Sequence, residues 1–145
     1  MDVKKVFSEY LRKHSLKITP ERVIILDEIN IINQHFDPDT LLFKLKNRNL
    51  KVSRATIYRT LDLLVDCGLV MKNVLGNSTV LYEKKYDTQV HDHFLCQSCG
   101  EIIEFYDKDL KKIHQKLVQD HNVMVTDYTH QVFGICGRCK ARNEK

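Results

Sequence analysis

The sequence predicts an α+β chain, an N-terminal winged helix-turn-helix followed by a small C-terminal α/β domain. Three observations predict it. A series of capped helices leads into a Gly-Asn hairpin signal within the first 83 residues. Residues 1–85 carry 15 Lys and Arg against 10 Asp and Glu, whereas residues 86–145 carry 8 against 9, so the overall +4 sits in the first part. Four of the five cysteines form two C-x-x-C pairs, and both pairs lie in the second part. At 145 residues the chain is long enough for two small domains. The expected boundaries are 1–83 for the winged helix, 84–90 for a polar hinge and 91–145 for the second domain.

Asp2 is placed to cap a first helix whose Val6, Phe7, Tyr10 and Leu11 share a face. Thr19-Pro20-Glu21 is a helix start with Thr as N-cap, Pro in the first turn and an early acid, and Val23, Leu26 and Ile29 follow on one stripe. Asp37-Pro38 repeats the signature ahead of Leu41, Leu42 and Leu45, with His35 in the loop before it. Ser53 opens a further helix that Gly68 closes, with Ile57, Leu61 and Leu64 as its buried stripe. Leu69-Val70-Met71 and Val80 to Glu83 then flank Gly76-Asn77 as a hairpin. In a winged helix the last helix enters the major groove of DNA and the hairpin rests on the backbone. The exposed face of that helix would carry Arg54, Ala55, Tyr58 and Arg59. An ordinary helical subdomain with a solvated basic surface is the competing reading.

Beyond the hinge, 101–105 reads as a strand, Asp107 as the cap of a helix with Leu110, Ile113 and Leu117 on one face, and 122–136 as mostly strand. So short a domain has a thin core and an unpaired sheet edge, which zinc binding and pairing with a second copy would both relieve.

The pairs Cys96/Cys99 and Cys136/Cys139 are separated by 36 residues. Each turns two sulfurs inward from a tight knuckle, and two knuckles supply the closed tetrahedral thiolate shell of structural zinc. Disulfides or redox dithiols compete with this reading, but a reducing compartment favours metal ligands. The neighbouring His91-Asp92-His93 adds a second layer. In a strand running to Cys96, both histidines face away from that cysteine, so one strand serves two sites. Imidazole with oxygen ligands suits an exchangeable divalent metal, and surface histidines are the alternative. His14, His114, His121 and His130 read as isolated surface or packing residues, and Cys67 as a buried small hydrophobe.

Several classes find no support. The longest early apolar run is Val23 to Leu26, so neither a signal peptide nor a membrane span is expected, and the chain reads as cytoplasmic. A zinc deaminase needs H-x-E and P-C-x-x-C, which His91-Asp92-His93 and the two knuckles do not provide. Neither a Gly-rich phosphate loop nor Gly-x-Ser-x-Gly occurs. A zinc-stabilised interaction module that never touches nucleic acid is a further class, distinguished by the absence of salt-dependent DNA affinity.

His91-Asp92-His93-x-x-Cys96-x-x-Cys99-Gly100, followed by Ile102-Ile103-Glu104-Phe105 and Cys136-x-x-Cys139, resembles the ferric uptake regulator family. The segments Leu16 to Arg22 and Ser53 to Leu61 are similar to that family's other signatures, in family order over nearly the whole chain. The resemblance implies a homodimeric, metal-dependent repressor that binds an inverted-repeat operator in double-stranded DNA. Cys96, Cys99, Cys136 and Cys139 match the family's structural Zn2+ ligands. His35, Glu83, His91, His93 and Glu104 match its regulatory site for Fe2+ or Mn2+. Arg22, Ser53, Arg54, Ala55, Thr56, Tyr58 and Arg59 fall on its DNA-contacting segments. A metal joining those five ligands would fix the angle between domains and space two recognition helices for successive major grooves, about 34–36 Å apart.

A further site of some members uses positions that hold Val90, Asp92, Lys111 and Tyr128 here, so its absence is expected. The peroxide-sensing branch usually has Asp where Glu83 and Glu104 stand, and the longer carboxylates favour iron. A peroxide-sensing repressor and a zinc- or manganese-responsive paralogue remain the alternatives.

Overall fold

Every helix of the first half begins at a side-chain cap. In the computed structural model, which describes residues 2–33, 35–75, 79–86, 91–126, 128 and 130–143, Asp2 accepts from the Lys5 N–H at the start of α1 (Val3–Lys13). Thr19 accepts from the Arg22 N–H at 3.4 Å to start α2 (Pro20–Ile31), and Asp37 accepts from Asp39 and Thr40 to start α3 (Pro38–Asn47). Ser53 accepts from Thr56 to start α4 (Arg54–Asp66). These bonds satisfy donors that the first helical turn leaves without partners. Gly68 follows α4 at φ +74°, a left-handed conformation that ends the helix and suits glycine.

The chain divides into two compact units, Met1–Thr88 and Gln89–Lys145. In the first, α2, α3 and α4 pack together, and α4 packs on β1 (Val70–Leu75), which pairs antiparallel with β2 (Thr79–Lys84). This is the winged helix-turn-helix order. The Gly76-Asn77 turn and residues 87–90 of the expected hinge lie outside the described residues.

Leu11, Ile25, Ile29, Leu41, Leu61 and Leu64 are fully enclosed, and each such side chain contributes about 1.5–3 kcal/mol on burial. α2 is buried more broadly than its expected stripe. Ile25, Leu26, Glu28 and Ile29 are all enclosed while Val23 is only half-buried, because α2 contacts both α3 and α4. The enclosed Glu28 is ion-paired with Arg48. Cys67 is half-buried rather than buried, with its thiol pushed up by burial and donating to the Leu64 carbonyl.

The second unit holds a three-stranded sheet in the order β4-β3-β5, made of β3 (Asp92–Cys96), β4 (Ile102–Phe105) and β5 (Gln131–Gly134). β4 runs antiparallel to β3, and β5 runs parallel to it. A Cβ on Gly134 would come within 3.0 Å of the Phe94 ring, so glycine lets β5 approach β3. Asp107 caps α5 (Lys108–His121), and α6 (Gly137–Asn143) closes the described chain.

The expectation of strand over most of 122–136 is corrected. Among the described residues of that stretch only 131–134 is strand, because Asn122 turns left-handed at φ 49° to end α5 and 123–126 are not assigned to a strand. None of the α5 residues is buried within one chain, and Ile113 and Leu117 on its apolar face are exposed. Among the described residues no helix is long and apolar enough to cross a membrane.

Candidate metal centres and DNA face

Two turns of different kinds bring the cysteines together. Cys96 ends β3, and the chain reverses through Gly100, which donates to the Cys96 carbonyl at 2.9 Å. The second pair straddles the start of α6, with Cys136 immediately before the helix and Cys139 in its first turn. The parallel pairing of β5 with β3 delivers that turn to the first knuckle. The four sulfurs all lie within 4.8 Å of one another, with Cys99 and Cys136 at 3.7 Å. That separation matches the edge of a tetrahedron built on Zn–S bonds of about 2.3 Å. The Cys136 N–H donates to Cys96 Sγ at 3.2 Å and is the leading cause that brings the Cys96 thiol down to about 6. A thiolate donor set enclosed at Cys96, Cys136 and Cys139 fits structural zinc.

The other candidate ligands form two half-sites, one on each unit. In the first unit, Phe36 and Tyr82 exchange two backbone hydrogen bonds, of 2.9 and 2.8 Å, which fasten the loop before α3 to the wing strand β2. His35 and Glu83 are the residues next to that bridge, and His35 Nε2 stands 3.2 Å from Glu83 Oε2. Both are largely enclosed. Asn73, which the sequence did not single out, donates to the other oxygen, Glu83 Oε1, at 2.5 Å. In the second unit, His93 is paired in register with Glu104 across β3 and β4. The His91 and His93 rings meet edge-on with centroids 4.8 Å apart, and His91 Nε2 is 3.9 Å from Glu104 Oε1. Imidazole and carboxylate donors in such sets suit borderline divalent ions.

On α4, Ile57, Leu61 and Leu64 are enclosed while Arg54, Ala55, Tyr58 and Arg59 are exposed. Arg54 is held by two neighbours: it bridges to Asp39 on α3 at 3.1 Å and lies 5.7 Å above the Tyr58 ring. Ser53 and Thr56 are tied hydroxyl to hydroxyl at 2.8 Å. Arg22 donates to the Lys17 carbonyl. Arg22, Ser53, Thr56 and Arg59 line a groove of about 450 Å³ with Thr19 and Lys51. Lys51 was missed because it lies in the loop outside helical periodicity. Glu21 also lines the groove, but two arginines and a lysine outnumber its single carboxylate, and with two helix starts beside them the groove suits a phosphate backbone.

A winged helix with a cationic helix face, joined to clusters of metal ligands, defines a metal-responsive DNA-binding regulator of transcription rather than an enzyme. The model of the ferric uptake regulator family matches residues 13–133, and the chain belongs to that family. It is 31% identical over 141 residues to the ferric uptake regulation protein of Campylobacter jejuni, spanning 96% of this chain and 89% of that protein. It is 29% identical over 130 residues to the peroxide-responsive repressor PerR of Staphylococcus epidermidis, spanning 90% and 85%. The structure of the ferric uptake regulator of Pseudomonas aeruginosa with manganese superposes with a TM-score of 0.76 at 30% identity, covering 90% of this chain and 97% of that one.

Proposed function

We propose that the chain is an iron(II)-responsive repressor, acting in the cytoplasm as a homodimer on an inverted-repeat operator, with Mn2+ able to take the place of Fe2+. Residues 1–83 serve as the DNA-binding domain, 84–90 as the hinge and 91–145 as the dimerisation and metal-binding domain. Zn2+ is held by Cys96, Cys99, Cys136 and Cys139 and staples the second unit. The regulatory ion is held by His35, Glu83, His91, His93 and Glu104. When bound it supplies one positive centre shared by ligands from both sides of the hinge.

The observation that carries this reading is the His35–Glu83 pair, two enclosed ligand side chains 3.2 Å apart beside the wing. Glu83 Oε1 is already engaged by Asn73, which leaves the pair oriented before any ion arrives. On the DNA side, Tyr58 and Arg59 read the major groove with Ala55 and Thr56, while Arg22, Ser53 and Arg54 hold the backbone. A state bound about 100-fold more tightly by the ion contributes about 2.7 kcal/mol of coupling, enough to carry a mostly open population to a mostly closed one.

The PerR relative and the shared donor set favour one second reading, a repressor released by oxidation at the same site. Titrating operator binding of anaerobically purified protein with Fe2+, Mn2+ and Zn2+, with and without peroxide, separates the two. Reversible activation by Fe2+ and Mn2+ is expected. Irreversible loss with peroxide and Fe2+, but not Mn2+, would favour the second reading. His35→Ala should keep zinc, fold and dimer yet lose metal-dependent DNA affinity; an unchanged response would overturn the shared site.

A further inference from the structure

One cation of the DNA face is already paired. Arg54 opens α4, and its Nη2 donates to Asp39 Oδ2 of α3 at 3.1 Å. On its other side the guanidinium lies 5.7 Å from the centroid of the Tyr58 ring, so two helices set its direction. Neither member of the pair is enclosed, since the Arg54 and Asp39 side chains are 61% and 60% exposed. An ion pair in that much water is weak and exchanges readily for another anion.

Asp39 lies in the first turn of α3, beside the Asp37 carboxylate that caps the helix. The start of a helix attracts an anion, and here the chain fills that place with carboxylates of its own. A guanidinium fork fits carboxylate and phosphate in the same planar way. Asp39 therefore offers Arg54 what a DNA phosphate would offer.

We propose that Asp39 is a specificity-determining residue for DNA, an internal stand-in for phosphate that withholds Arg54 from random duplexes and yields it at the operator. This rests on the DNA-binding reading of α4. On random DNA the chain follows the backbone without a fixed register, so no phosphate is held against Arg54 and the tethered carboxylate keeps it. At the operator, Tyr58 and Arg59 seat α4 in the major groove, which fixes a phosphate beside the start of the helix. Arg54 then exchanges one oxygen partner for another while it stays over Tyr58. A group that weakens the wrong complex raises specificity as well as one that strengthens the right complex.

The test uses full-length, Mn2+-loaded protein, an operator duplex that the parent selects from a random pool, and a random-sequence duplex of equal length, each titrated at several salt concentrations. Asp39→Asn should bind the random duplex about five- to tenfold more tightly at about 0.1 M salt, with a salt slope steeper by about one. Its operator slope should match the parent's. Equal gains on both duplexes, or no gain on the random one, would overturn the proposal. Adding Arg54→Gln should abolish the gain; a gain that survives it means that Asp39 only repels DNA, and the proposal falls. Should Asp39→Asn misfold, Asp39→Ser takes its place with the same expectations. A parent that binds neither duplex overturns the DNA-binding reading itself, and this proposal with it.

Discussion

Asn73 holds Glu83 by one carboxylate oxygen while His35 approaches the other, so a single enclosed side chain is gripped from two elements. Asn73 and Glu83 are diagonal neighbours on the wing, since Asn73 is opposite Leu81 and Glu83 opposite Met71.

Loss of that grip should be felt first in metal affinity. Asn73→Ala is expected to weaken Mn2+ binding, measured by calorimetry, about 10- to 100-fold. Its zinc content and helical spectrum should match the parent.

Cys99 is the exposed member of the sulfur cluster, so its replacement disturbs packing least. Cys99→Ser should lose one zinc per chain and, with it, much of the dimer's resistance to heat. Stoichiometric zinc with an intact dimer would remove Cys99 from the ligand set.

Lys51 and Arg59 share a groove yet should differ in effect. Lys51→Ala should weaken binding alike on all sequences and reduce the salt slope by about one. Arg59→Ala, if it removes a bidentate contact to guanine, should cost about 1–3 kcal/mol on the operator and less on random DNA. Titrations at several salt concentrations on both duplexes check this.

Asp37 ties stability to pH. Burial opposes its charge, but the Thr40 hydroxyl and then the N–H groups of Thr40 and Asp39 outweigh it and hold the carboxyl below its usual range. A lowered folded value means that this contribution is complete above the unfolded pKa and disappears as pH falls through the folded one. Asp37→Ala should cost about 0.5–2 kcal/mol at neutral pH. Below about pH 4 the difference from the parent should shrink, as urea unfolding across that range would record.

The caps at Thr19, Asp37 and Ser53 were legible because a helix start is local chemistry, and the cysteine spacing was legible because a knuckle is short. What escaped the sequence is non-local. β5 is four residues long and finds its partner in parallel across the whole of α5. α6 carries no strong cap before Gly137 and is seven residues long. Asn73, in a strand of mixed polarity, carries no motif that marks it as the partner of Glu83. His114 and His130, expected to be isolated, place their Nε2 atoms 3.0 Å apart, and that pairing depends on where α5 lies, which no spacing encodes.

The backbone bridge between Phe36 and Tyr82 has a mechanical consequence. His35 sits on a loop, but the loop is bolted to the wing at the residue beside it, and Glu83 is on the wing itself. A pull on either side chain is therefore borne by the hairpin and, through β1, by the recognition helix that packs on it. The loop cannot yield by itself and absorb the load, so an ion anchored at these two residues would grip the winged helix as a handle grips a blade.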